Sequence, residues 1–559
     1  MSRLPSSKTL VLLGSVALGI IVACGSDDGG SKFKGDAVDG GTPPPMLPPS
    51  FGGDSGGNQG PWSDFPKDPI VATSDGGGEL TPANAAELFA ASPSGPAGDG
   101  NDPCLVEPEI GSIVPKNWLR PRFRYVAAGE QNIFEIRLRA ANQTNDLVVY
   151  TTSKTWEMPA SLWQAFRNHS ADVGITISVR GGKLANGAVT GVTQGSSGAW
   201  AIAPVEAPGS IVYWRIKGGD IADLKGFAVG DDTVRPTLDP AKVEVKADLK
   251  CVGCHTSSPD GKYAIFSSNG LSNYGTGIAS IEPATEGKKP PYLTALGESS
   301  LETYLKGITT VAAPLWTETK HIVVASGGGE LRWVNLDGTT PENVKGVIAR
   351  NGDARTAPVA PNLSHDGTRI VYVSGNSATD GRPGGNENDI YVVPYGDGAG
   401  GAATAVAGAA TAENEFFPSF SPDDKLVAFS RTPKEGDSYA EPKAEVMVVA
   451  SGGGEAQRLA ANDPPACTGT KSPGVENSWP KWAPAKPSPE TVNGKTYYWL
   501  VFSSTRSGGG RRQLYMAPVV VENGKVLPYK AVYLWNQPDQ ENNHTPAWDV
   551  FAIPPSGPK

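Results

Sequence analysis

The chain has 559 residues, 38% of them apolar, which is enough for more than one hydrophobic core. A formal charge of −10, charged residues at only 19% and no basic run exclude a nucleic-acid-binding surface. With 69 Gly and 49 Pro, the composition suits an all-β protein with many turns and an extended linker better than a helical one.

At the N-terminus, Arg3 and Lys8 precede an apolar stretch from Leu10 to Val22, which Ile21–Val22–Ala23–Cys24 closes. The stretch is too short to span a bilayer as a mature helix and has the layout of a signal peptide, residues 1–23. Its end resembles a lipobox. That resemblance implies acylation of Cys24 and attachment to a membrane; an ordinary signal peptide with an incidental Cys is the alternative. Gly25, where inner-membrane lipoproteins of enteric bacteria carry Asp, implies an outer-membrane lipoprotein.

Residues 24–102 are expected to form a disordered, flexible tether. They run through Gly25–Ser26–Asp27–Asp28–Gly29–Gly30, Pro43–Pro44–Pro45 and Asp75–Gly76–Gly77–Gly78 with few apolar residues between. One short helix is predicted within it, capped by Thr81, with Pro82 in its first turn and Ala85–Ala91 following. Gly53–Asp54–Ser55–Gly56–Gly57 matches the serine-protease nucleophile loop, but its surroundings are low in complexity and it is read as incidental.

Residues 103–206 alternate. Ile136 and Leu138 interleave with Glu135, Arg137 and Arg139, and Val173, Ile175, Ile177 and Val179 with Gly174, Thr176 and Ser178. Phe123–Val126, Leu147–Thr151 and Ala199–Ile202 read as further strands. The pattern resembles a fibronectin type III or immunoglobulin-like β-sandwich, with Trp156 and Trp163 expected in its core.

The rest of the chain, 207–559, repeats. Phe417–Pro418–Ser419–Phe420–Ser421–Pro422–Asp423–Asp424 and the apolar run Leu426–Phe429 are echoed by Ser258–Pro259–Asp260–Gly261 with Tyr263–Phe266, and by Pro361–Asn362–Leu363–Ser364–His365–Asp366–Gly367 with Ile370–Val373. Weaker copies begin at Pro314, Pro480 and Pro546, so the aligned positions are 255, 314, 361, 418, 480 and 546. Each unit is a strand, a tight turn and a second apolar strand. None can bury both faces alone, so the units must stack around an axis. The pattern resembles the TolB-type six-bladed β-propeller, and Ile211–Ile216 are expected to complete the sixth blade and close the ring.

Cys251–Val252–Gly253–Cys254–His255 carries the strongest chemical signal. It resembles the attachment motif of c-type cytochromes, in which two thiols bind the vinyl groups of one haem c and the His ligates its iron. A disulfide or bare dithiol is the alternative. His544 precedes the aligned Pro546 by two residues, which makes it the candidate sixth iron ligand, with Asn542, Asn543 and Trp548 beside it. Cys104 and Cys467 are left as a candidate disulfide joining sandwich to propeller.

Two functional readings follow. The first is a membrane-anchored haem protein that transfers electrons to a redox partner, with peroxide chemistry if the sixth iron site is open. The second is a TolB-like scaffold that binds proteins of the cell envelope. Enzymatic activity is not indicated: Asp260, Asp366 and Asp423 are turn formers by position, and no Gly-x-Ser-x-Gly elbow sits in a strand-turn-helix context.

Overall fold

The computed structural model describes residues 64–73, 80–81, 84–91, 102–127, 129–218, 221–245, 249–269, 275–379, 382–433, 438–484 and 489–554. Cys24 with its lipobox, and the Gly53–Gly57 tract, lie outside them.

The N-terminal region has two β-layers. One sheet contains Ile133–Ala140, Leu147–Thr151, Ile175–Ala185 and Ala188–Ile202, and the other Cys104–Glu107, Arg122–Val126 and Thr155–Glu157. Alternation places Phe134, Ile136 and Leu138 of the first and Phe123 and Tyr125 of the second in one apolar core. Trp156 is buried there from a strand, and Trp163 from the helix Ala160–His169, where its Nε1–H donates to Trp118 O at 3.0 Å.

Within the expected tether, the described residues 64–73, 80–81 and 84–91 are folded onto this sandwich. Ile70–Ala72 runs parallel to Leu147–Thr151 as an edge strand, and Phe65, Leu80 and Phe89 are buried. The helix spans Ala85–Ala90 and begins at Asn84 instead of Thr81. These few large side chains find apolar partners on the sandwich, which composition averaged over the segment conceals.

Beyond residue 206 the strands form a six-bladed propeller. The innermost strands of blades one to six are Cys251–Ser257, Lys306–Thr310, Ala357–Leu363, Asn414–Phe420, Ser478–Trp482 and Asn542–Asp549, and each touches the next in a closed cycle. Outward from each, antiparallel strands follow; in blade four they are Leu426–Thr432, Glu445–Ala450 and Gln457–Arg458. The turns between first and second strands repeat one device. The hydroxyls of Ser258, Ser364 and Ser421 donate to Asp260, Asp366 and Asp423, and each Ser oxygen accepts a later backbone N–H.

Blade six is built from both ends of the region. Its inner strand Asn542–Asp549 pairs with Ser210–Gly218, which pairs with Ile221–Ala228 and then Arg235–Leu238. The chain before blade one thus closes the ring. Against blade one the seam has one parallel pairing, Ala222 with Cys251. It is reinforced by Asp549, which accepts from Ser257 N at 3.2 Å and Thr256 Oγ1 at 3.3 Å, and by Ala552 N donating to Gly261 O at 2.8 Å.

The blade-two copy begins elsewhere than at Pro314. That residue lies in the 3₁₀ turn Ala313–Leu315, beyond the inner strand Lys306–Thr310. At the true position blade two has Ile308–Thr309 and no proline. Pro314–Leu315–Trp316 imitates the repeat by composition alone.

Candidate functional site

The pentad lies on the innermost strand of blade one. Cys251 and Val252 pair with Asn269 and Ser268, the register then slips, and His255 pairs with Phe266. Gly253 sits in this bulge, where a Cβ would lie 2.7 Å from Ser267 Oγ. The bulge separates the two sulfurs. Cys251 packs with Val212, Trp214, Leu224 and Phe266 between blades six and one, whereas Cys254 packs with Ile308, Ala360, Phe417 and Trp479 on the ring axis. Cys254 is a buried free thiol, raised in pKa by that burial; Cys251 is not free.

His255 stands at the seam between two backbone carbonyls, with Nδ1 3.1 Å from Gly253 O and Nε2 3.1 Å from Val212 O. Burial pushes its pKa down to about 4, so the ring is neutral at physiological pH and its single N–H serves one of the two carbonyls. His544 is fully buried on the inner strand of blade six. Its Nδ1 lies 2.9 Å from Ser503 Oγ, and its ring stacks on Trp214 at 6.4 Å and meets Tyr439 and Trp479 edge-on, each at 5.4 Å. Burial, assisted by Arg512 and Arg382, holds its pKa well below the usual value. The ring of His255 meets Phe551 instead, at 6.1 Å. The structure therefore does not bring the two imidazoles to a common point.

As folded, these residues do not fit a haem. A porphyrin edge needs both thiols on one side of the chain with the imidazole beneath, but here the sulfurs occupy different cores. Both nitrogens of His255 face carbonyls. The cavity beside Cys254 and His255 has about 20 Å³, room for roughly one water. The physical reason is the extended strand with its bulge at Gly253, which turns Cys254 onto the ring axis and away from the core that holds Cys251. Among the described residues, no group of three or more His, Cys, Asp and Glu side chains could hold a metal ion.

What the bulges do assemble is an axial channel. Ala360, Phe417, Trp479 and Thr545 have φ of 49°, 54°, 62° and 38°, each directly before a proline: Pro361, Pro418, Pro480 and Pro546. Left-handed backbone is rare for such residues, and the position before proline also disfavours α-type conformations. The strain recurs because it turns these side chains onto the axis, where they meet Cys254 and Ile308. Phe417 stacks on Trp479 at 3.7 Å. The sequence reading missed Ile308, Ala360, Phe417, Trp479, Lys481 and Thr545. The signal available was the residue-proline doublet at four of the aligned positions.

Where the inner strands begin, loops cover the channel. Tyr439 lies against Trp479 and His544, with the guanidinium groups of Arg382 and Arg512 at 4.5 Å and 5.2 Å from its ring centre. Ser438 Oγ donates at 2.7 Å to Pro383 O of the blade-three strand Arg382–Gly384, which pairs with Ser377–Thr379.

The chain is similar in structure to TolB. The TolB of Acinetobacter baumannii aligns at 12% identity over 67% of this chain and 79% of that one, with a TM-score of 0.34. Hydrazine synthase of Kuenenia stuttgartiensis aligns at 12% over 61% and 46%, TM-score 0.35, and prolyl oligopeptidase B of Galerina marginata at 11% over 55% and 40%, TM-score 0.30. No protein-family model and no curated protein matches the sequence. Likeness this distant carries nothing beyond the general architecture, and the propeller assignment rests on the closed cycle of inner strands.

Proposed function

We propose that this protein is an exported, lipid-anchored β-propeller scaffold that binds partner proteins of the cell envelope. The observation that carries the reading is that sandwich and propeller form one platform. Cys104 and Cys467 are bonded with their Cα atoms 5.6 Å apart, and one apolar core runs from Phe123 and Trp163 through Tyr213 to Trp499 and Trp548. At the same junction Arg122 and Arg124 pair with Glu107 of the sandwich and lie over Tyr533 of blade five. A rigid disc of this kind presents loop-built faces in fixed orientation, which lowers the entropic cost of docking a partner. Acylation of Cys24 would hold it at the outer membrane.

The test has two arms. In cells competent for c-type haem maturation, the wild-type chain should fractionate with membranes, and Cys24→Ala should move to the soluble envelope fraction. On a denaturing gel the chain should give no haem stain. A covalent haem signal at its mass would overturn the scaffold reading and restore the redox one, since the seam would then have to open around a porphyrin.

A further inference from the structure

The bond between Cys104 and Cys467 holds down a turn that little else holds. Cys467 lies in the 3₁₀ turn Ala466–Thr468, none of whose residues is buried. Ala466, Cys467, Thr468 and Gly469 are all exposed, whereas Cys104, on a strand of the sandwich, is only 6% exposed. The hydrogen bonds of the turn stay inside it. Thr468 N and Oγ1 donate to Pro465 O at 3.0 Å and 2.8 Å, Gly469 N to Ala466 O at 3.2 Å, and Thr470 N to Thr468 Oγ1 at 3.2 Å. Toward the sandwich, the disulfide is accompanied by one exposed polar contact, Ser196 Oγ at 3.6 Å from Cys467 Sγ. The apolar core that joins sandwich to propeller is built from other residues, among them Phe123, Trp163, Trp499 and Trp548.

A disulfide opens when a thiolate attacks one of its sulfurs, so access to that sulfur decides whether the folded protein reacts. Here the accessible side is Cys467. Breaking the bond gives up the constraint of a long covalent loop but unpacks no side chain of the shared core.

We propose that Cys467 is a thiol–disulfide exchange site, through which a protein dithiol releases the turn while the rest of the molecule stays folded. A thiolate of the dithiol bonds to Cys467 Sγ. The electron pair of the Cys104–Cys467 bond leaves with Cys104 Sγ, which takes up a proton. The second thiol of the reductant, deprotonated, then displaces Cys467 from the mixed disulfide, and Cys467 is protonated in turn. The reductant is oxidised to its disulfide, and the chain gains two electrons and two protons as two thiols. The product is a folded protein with a released turn and an exposed thiol beside the junction of sandwich and propeller. This chemistry is independent of what the propeller binds.

The test incubates the full oxidised chain with reduced thioredoxin and quenches aliquots with iodoacetamide, each cysteine peptide being followed by mass spectrometry. Cys467 should be alkylated without denaturant, while Cys254, a buried free thiol on the ring axis, stays unmodified and reports any global unfolding. Thioredoxin lacking its resolving cysteine should be trapped on Cys467 and not on Cys104. Trypsin cleavage after the exposed Lys471 should speed up about tenfold on reduction, as expected of a segment that opens locally. Cys104→Ser, which frees Cys467 with no reductant present, should show the same faster cleavage. Alkylation of Cys254 in step with Cys467 overturns the proposal, because reduction then requires the ring to unfold. A bond that resists thioredoxin until denaturant is added overturns it too, as does cleavage at Lys471 that neither reduction nor Cys104→Ser changes.

Discussion

His255 shows how burial alone can make a residue pH-sensitive. Its folded pKa of about 4 lies below the unfolded value near 6.5. Between these values the unfolded chain binds the extra proton, so stability rises with pH across the window and is lost as pH falls from 6.5 to 4. The full loss is about 3 kcal/mol. His255→Gln keeps one N–H for the flanking carbonyls but cannot titrate. Its unfolding free energy, measured by urea titration at several pH values, should vary less steeply by about one proton, ~1.4 kcal/mol per pH unit. Glu109 has the opposite sense. Burial pushes its carboxyl up to about 8, against the pull of Arg506 and Lys530. The stability of its protonated form is complete below the unfolded value near 4.5 and is lost as pH rises through 8. Glu109→Gln should therefore stabilise the protein at pH 8 by on the order of 2 kcal/mol and change little at pH 4. An unchanged midpoint at pH 8 would show that the carboxylate is compensated by its cationic neighbours.

At the scale of elements, the strand that closes the ring also fastens it to the sandwich. Trp548, on the inner strand of blade six, donates from Nε1 to Pro208 O at 2.8 Å and lies 5.7 Å from Trp118 of the sandwich. Trp548→Ala should cost about 3–5 kcal/mol, and Trp548→Phe, which loses the hydrogen bond with part of the ring, about 1–2 kcal/mol. Denaturant midpoints would separate them. Closure of this kind was legible in the residues, because Ile211–Ile216 alternates like a blade strand and the last repeat lacks its own partners. Blades one, three and four were equally legible, since Ser-x-Asp turns must recur wherever the hairpin recurs. Blade two was not, for its inner strand has Ile308–Thr309 where blades three to six have a residue-proline doublet, and Pro314 offers a decoy. The channel was harder still. Its lining residues come from all six repeats, and only the ring brings them together. The pentad poses a related problem: the spacing of two thiols says nothing about whether the backbone between them coils or extends, and here it extends with a bulge.

Across the whole molecule, the distribution of the core decides how it should unfold. Sandwich and propeller are distinct in sequence pattern, and two such units joined by a peptide would melt separately. Here the largest apolar cluster takes Ile136 and Phe166 from the sandwich, Ile211 and Phe227 from blade six, and Val501 and Met516 from blade five. Trp535 Nε1 donates to Arg120 O at 2.8 Å across the same junction, and the Arg120 guanidinium lies 5.4 Å from that ring. Removing the sandwich would expose the faces of blades five and six that it covers, and a ring cannot lose two blades and remain closed. The described part of the chain should therefore unfold in one calorimetric transition, with van't Hoff and calorimetric enthalpies in agreement. Cys467→Ser, which opens a covalent loop of 363 residues, should lower the midpoint by the equivalent of about 2–4 kcal/mol without splitting the transition. Two resolved transitions in that variant would mean that the disulfide, and not the shared core, couples the halves.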